Sequence, residues 1–327
     1  MSAMLPRCVL GSLLMASGVV LGAAAQGPSP ALDTVELRSN FFVVAGVGGN
    51  VGVQVGTDGV VVVDTGAAGS SNALIAAIRQ ITDKPIRYIV NTNADADHVG
   101  GNADVARAGR SILNAGNALG AAMTNGGAAG IIAFETVLFR MSGREGAPAY
   151  PAAAWPTDTH GQARRALYLN DEGVEFLHQP SAHSDGDLEV FFRRSDVVMA
   201  GDIIDANRFP VIDLARGGSI DGEIAALNQL VELAIPSTPF VWKGQGTYVV
   251  PGHGRVYLQA DVVNYRDMVV IVRDRVRDLM NQGMSLAQIQ AANPTQGYRT
   301  AFGADTGPWT TAMFVEAVYQ SLGRGRR

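Results

Sequence analysis

A set of acidic, amide and imidazole side chains in this sequence is spaced so that it could hold a cation or move a proton. Asp95, Asp97 and His98 lie within four residues of one another. Asn93 precedes them, and His183, Asp202 and His253 follow at long intervals; Asp64 lies upstream. Asp97 and His98 are adjacent, so neither a regular helix nor a regular strand turns both toward one point. An irregular loop can, and Gly100-Gly101 just beyond supplies one. If the fold converges, Asp95, Asp97 and Asp202 bring three carboxylates together. Like charges at such range destabilise one another unless a cation sits among them. A divalent ion is therefore the expected occupant.

The elements that must position these groups are readable around them. Val35–Ala45, Asn50–Gly56 and Val60–Asp64 read as successive strands broken by glycine clusters. Ser71–Gln80 has helical spacing, and the short apolar strand Ile86–Val90 runs straight into the Asn93–His98 segment. Residues 120–160 lack a clear period and read as a long excursion over the site, partly loop. A second set of strands is expected at Ala166–Leu169, Val174–His178, Leu188–Arg193 and Val197–Ala200. A helix over Gly222–Leu233 and a strand Thr247–Val250 lead into Pro251-Gly252-His253-Gly254. A long amphipathic helix covers Asp261–Gln282. Two strand blocks, each followed by helices, point to a layered α/β sandwich.

Of the remaining histidines, His178 alternates with Val174 and Phe176 and reads as packed. His160 lies in a polar stretch and reads as solvated.

Composition narrows the chemistry. A net charge of −5 without a basic run gives no nucleic-acid surface, so the expected partner is a small-molecule substrate. Residues 1–25 read as a signal peptide, with Arg7, the apolar stretch Cys8–Gly22 and the small residues Ala23–Ala25 before Gln26. The protein is thus expected to be exported, periplasmic or secreted, with no integral span in the mature chain. Cys8 is the one cysteine, so the mature chain has no thiolate ligand or nucleophile. Lys84 and Lys243 are the only lysines, and neither lies three residues after a serine. With no G-x-S-x-G turn either, serine hydrolase chemistry is excluded.

The ordered motifs resemble the metallo-β-lactamase-fold superfamily, which carries H-x-H-x-D-H after a strand, a later His, an Asp or Cys, and a final His. Asp97-His98 match the D-H part. His183, in Ala182-His183-Ser184-Asp185-Gly186-Asp187, matches the later His. Asp202, in Ala200-Gly201-Asp202, matches the bridging Asp, and His253 the final His. Asp64, in Val63-Asp64-Thr65-Gly66, matches the Asp beneath the metal loop. The resemblance implies a four-layer αββα sandwich over residues 26–257, with a helical extension over 258–327 packed on the same domain. It also implies a hydrolase that directs a metal-activated water at an ester, lactone, thioester or amide, a β-lactam included.

The departure from the family pattern falls on the first metal site. Asn93 and Asp95 replace its two histidines, leaving an amide, a carboxylate and the His183 imidazole. The second site is complete in Asp97, His98 and His253, with Asp202 beside it. One firmly held ion is expected there, Zn²⁺ by its N/O donors, lowering the pKa of its water from about 15.7 toward about 7. Asp97 or His183 would orient that water or take its proton. Asp95 either binds a second, harder ion such as Mn or Fe or holds a water; Asn93 is either a ligand or a turn residue. Two other functions stay open: an iron-binding oxidoreductase of the same fold, though no flavodoxin-like module follows, and a binding protein that lost catalysis with its first site.

Overall fold

The computed structural model describes residues 32–112, 127–144, 146, 148–238 and 246–324. The leader read in residues 1–25 and the basic residues Arg326 and Arg327 lie outside the described residues.

The first sheet has seven strands in sequence order: β1 (Asp33–Arg38), β2 (Phe41–Ala45), β3 (Val51–Gly56), β4 (Gly59–Val63), β5 (Ile86–Val90), β6 (Gly130–Phe134) and β7 (Asp158–His160). The first four are antiparallel neighbours; β4 through β7 run parallel. The second sheet has five strands. They are β8 (Arg164–Leu169), β9 (Glu172–Gln179), β10 (Asp187–Phe192), β11 (Val197–Asp205) and β12 (Tyr248–His253), with the last two parallel at one edge.

Helices cover both outer faces. On the first sheet lie α1 (Ser71–Ile81), the short turn α2 (Ala96–Val99) and α3 (Asn102–Ala108); α4 (Glu135–Met141) follows β6. On the second lie α5 (Ile220–Leu233), α6 (Gln259–Asn281), α7 (Leu286–Ala291), α8 (Arg299–Phe302) and α9 (Thr311–Arg324).

The residue pattern explains the layering. Strand β4 is an unbroken valine run because both its faces are buried. Val61 and Val63 enter the core between the sheets with Phe41, Phe176, Leu188 and Val190. Val60 and Val62 face α1 and α3, against Leu74, Ile78 and Val105. Strand β11 divides likewise: Val197 and Met199 point to the inter-sheet core, Val198 and Ala200 to the helices. On that outer face Leu227, Leu230, Tyr265, Val269, Phe314 and Val318 form one cluster, so the C-terminal helices share a core with β11 and β12. The result is an αββα sandwich with the helical extension laid on its second sheet. Among the described residues, no helix is long and apolar enough to cross a membrane.

Three readings from sequence need correction. Val35–Ala45 is two strands, because the chain reverses at Ser39-Asn40. The excursion over 120–160 holds two strands and a helix, β6, α4 and β7, where it is described, from residue 127 onward, with loop between them. Strand β6 is apolar on both faces and so lacks the alternation that marks a strand. His160 is not solvated: it ends β7, is 5% exposed, and lies edge-on to Phe134. Those aromatic neighbours come from other strands, which a local reading does not see.

Candidate metal centre

The site gathers where parallel strands end, the usual place for ligand contacts in layered α/β folds. Strand β4 delivers Asp64, β5 runs into Asn93–His98, β11 carries Asp202 and β12 ends on His253.

Asp64 organises the floor. It is buried and left-handed, with φ 62°. Its Oδ1 accepts the Thr92 backbone N–H at 2.8 Å, and its Oδ2 accepts the Thr92 hydroxyl at 2.7 Å. The same Oδ2 lies 2.7 Å from His98 Nδ1. This carboxylate fixes the imidazole so that Nδ1 donates and Nε2 points outward.

His98 Nε2 is fully buried, has no hydrogen-bond partner among the described residues, and lies 3.2 Å from Asp202 Oδ2. Asp202 Oδ1 is buried without a partner as well, and lies 3.5 Å from His253 Nε2. His253 Nε2 is also 3.2 Å from Asp97 Oδ2. Buried polar atoms are normally paired. Acceptors facing one another at this distance require a positive charge between them, either protons on the imidazoles or a cation. The donor atoms of Asp97, His98 and His253 all lie within 4.8 Å of one another. The residues present therefore fit a divalent ion.

Glycines permit the approach. A Cβ on Gly252 would stand 2.3 Å from Asp202 Oδ1, so only glycine lets β12 come this close.

A second group, Asp95, His183 and Asp202, also meets within 4.8 Å. Here the polar atoms are engaged with one another. His183 Nδ1 donates to the Val211 carbonyl at 2.8 Å, and its Nε2 lies 3.2 Å from Asp95 Oδ2. Asp95 Oδ1 is paired with the Arg216 guanidinium. Asn93 donates to Asp202 Oδ2 at 3.0 Å and accepts the Asp95 backbone N–H at 2.8 Å.

The electrostatics agree. Burial disfavours charge on His183, but the Asp95 hydrogen bond and the carboxylates of Asp187 and Asp202 outweigh it and raise the imidazole to about 10. Burial likewise opposes charge on Asp202, yet the His98, His183 and His253 imidazoles hold its carboxyl far below the usual range. The cluster attracts positive charge.

Above these groups opens a cavity of about 220 Å³ lined by Asp95, Asp97, Arg208, Val211, Pro308 and Trp309, among others. In a larger cleft of about 630 Å³ beside Tyr168 and Arg193, the buried acid Glu172 is already spent on the Arg194 and Ser195 N–H groups.

All the residues expected from sequence at the site do converge: Asn93, Asp95, Asp97, His98, His183, Asp202 and His253, over Asp64. His178 stays apart, stacked on Phe134 with ring centroids 3.4 Å apart. Sequence reasoning missed Arg208, Arg216 and Trp309. Arg208 pairs with Asp205, and the Trp309 indole N–H is buried without a partner among the described residues. Each comes from a loop without a motif, and only tertiary structure reveals them.

Comparison with known proteins identifies the family and the fold. The profile of the family described as the Metallo-beta-lactamase superfamily matches residues 44–260. A linear primary-alkylsulfatase of Pseudomonas sp. is 24% identical over 257 residues, 70% of this chain and 46% of its own length. A stereoselective inverting sec-alkylsulfatase of Pseudomonas sp. superposes with a TM-score of 0.61 at 15% identity, over 89% of this chain and 50% of that one. A metallo-beta-lactamase from Pontibacter korlensis superposes with a TM-score of 0.53 at 15% identity, over 73% of this chain and 99% of its own. The chain thus spans about half the length of the alkylsulfatases it matches.

Proposed function

Because the chain belongs to the metallo-β-lactamase superfamily, we propose that it is an exported metal-dependent hydrolase with its ion held by Asp97, His98, Asp202 and His253. One observation carries this reading: two buried ligand atoms, His98 Nε2 and Asp202 Oδ1, face each other's groups without a hydrogen bond. Zinc is the proposed metal, since imidazole and carboxylate donors at a centre without thiolates suit it. Bound there, the cation supplies Lewis acidity and lowers the pKa of water toward neutrality.

The chain's own groups do the rest. Asp64 holds the His98 ring in one tautomer through Nδ1. Asp97 is more exposed than the other ligands, at 38% of its side chain, and faces the cavity. Its carboxylate is placed to orient a water and accept its proton. His183, anchored through Val211, lines the cavity floor and holds the Asp95 carboxylate. Arg208, Pro308 and Trp309 wall the cavity and set what enters.

The bond to be cut is an ester, lactone, thioester or amide. The names of the Pseudomonas relatives add the sulfate ester of an alcohol to that set. The test is elemental analysis of purified protein, joined to turnover on carboxylic esters, lactones, β-lactams and alkyl sulfates. Bound zinc with turnover in one class is the expected result. A folded protein that takes up no divalent ion and turns over none of them would overturn the proposal. Bound iron with a visible absorption band would favour redox chemistry instead.

A further inference from the structure

The second group of donors has the spacing of a metal site but not the free electron pairs of one. Asp95, His183 and Asp202 lie within 4.8 Å of one another. However, one Asp95 oxygen faces His183 Nε2 and the other holds the Arg216 guanidinium. The Asn93 amide is occupied at both ends, by Asp202 and by the Asp95 N–H. A guanidinium cannot surrender its charge by losing a proton. An ion entering here would have to share the Asp95 carboxylate with a fixed cation.

Arg216 is not a casual surface neighbour. It ends a 3₁₀ turn, Leu214–Arg216, whose N-cap Asp213 accepts the Ala215 and Arg216 backbone N–H groups at 3.0 Å each. Its own carbonyl accepts the Asp185 backbone N–H at 2.9 Å and an Arg140 N–H at 3.1 Å. Gly217, at φ 87°, closes the turn, and a Cβ there would meet the Asp185 side chain at 2.9 Å. The backbone thus aims the side chain at Asp95 before any ligand arrives.

We infer that Arg216 takes the place of the first ion, so that the protein is a one-ion enzyme whose second positive charge is a guanidinium supplied by its own chain. This rests on the metal-centre reading above and sharpens it. Nη1 is engaged by Asp95 and Nε lies 3.4 Å from Asp213 Oδ2; with the side chain 41% exposed, Nη2 is left to present N–H groups to an anionic part of a substrate.

The experiment is a metal titration. Chelator-stripped protein is reloaded with Zn²⁺, and ions per chain and affinities are read by elemental analysis and by competition with a chromophoric chelator. Wild type is expected to hold one ion. Arg216→Ala is expected to hold two, the second more weakly, with the first affinity changed less than about threefold. Arg216→Lys, which keeps a charge, should stay at one, and Arg216→Ala combined with His183→Ala should return to one. Arg216→Met, which keeps the stem, repeats the test should the alanine variant not fold. Two ions in wild type, or one in both the alanine and methionine variants, would overturn the inference and leave the metal centre standing. No ion in wild type would overturn both.

Discussion

The two halves of the site are built from nearly the same residue types and end in opposite electrical conditions. Around Asp97, His98 and His253, imidazole and carboxylate atoms face one another with buried valences unspent. Around Asn93, Asp95 and His183, the same kinds of atoms are paired, and the excess charge is met by Arg216. Donor type and spacing are therefore insufficient to define a metal site. What separates the halves is whether the protein has already supplied the partner, because a buried polar atom without one costs free energy that a cation recovers.

The strongest challenge to this contrast is to remove a ligand from the unspent half. His253→Ala and Asp97→Ala are each expected to lose the ion on dialysis and to lower kcat/KM by roughly 10³-fold or more, since a bound cation contributes several kcal/mol. His178→Ala, at the Phe134 stack, should change neither metal content nor turnover. Normal stoichiometry in either ligand variant would erase the distinction.

The next effect is on the floor. Asp64→Asn suits the left-handed backbone, but its single amide oxygen cannot take the Thr92 N–H together with the Thr92 hydroxyl and His98, so one of these donors is left facing an NH2 group. Metal affinity should fall roughly 10–100-fold, as for other groups that orient a metal-bound histidine. Competition with a chelator measures it, and an unchanged affinity would show that Asp64 only braces the loop.

In the spent half the expected loss is smaller. Asn93→Ala removes one hydrogen bond to Asp202, worth about 1 kcal/mol, so ion affinity at the other half should weaken roughly fivefold. A loss as large as that of His253→Ala would mean that Asn93 is itself a ligand.

The smallest effect lies behind the spent half. Glu223 is fully buried, with neither carboxyl oxygen hydrogen-bonded among the described residues. Burial first, then the nearby Asp187 charge, push its pKa well above the ordinary value, about 4.3. Between those two values the unfolded chain has released a proton that the folded chain retains. Its contribution to stability is therefore full below about pH 4.3 and declines as pH rises toward the folded pKa. Glu223→Gln removes that slope. Its unfolding free energy relative to wild type should climb as pH rises above about 4.3 toward the folded pKa, by up to about 1.4 kcal/mol per pH unit. A pH-independent difference would show that Glu223 stays ionised.

Much of this centre was legible in sequence because its reactive residues sit at strand ends, where a motif is local. Asp97-His98 before Gly100-Gly101, and His253 between two glycines, are such cases. The layered fold followed from two strand blocks, each succeeded by helices. The roles of Asn93 and Asp95 were not legible, since their partners Asp202 and Arg216 lie more than a hundred residues away. His160 and β6 were misread for a related reason: their burial is imposed by neighbouring strands and leaves no local alternation.

The cavity wall has its own consequence. Pro308 and Trp309 belong to the stretch between α8 and α9, while every charged residue at the floor lies before residue 254. Residues 305–308 of that stretch are exposed; of these, Gly307, at φ 103°, is the one held to glycine by its backbone. Part of the cavity wall is thus inherited on a piece of chain separate from the reactive floor. Residues 303–310 are where random substitution should retune the preferred molecule while leaving the reactive machinery intact.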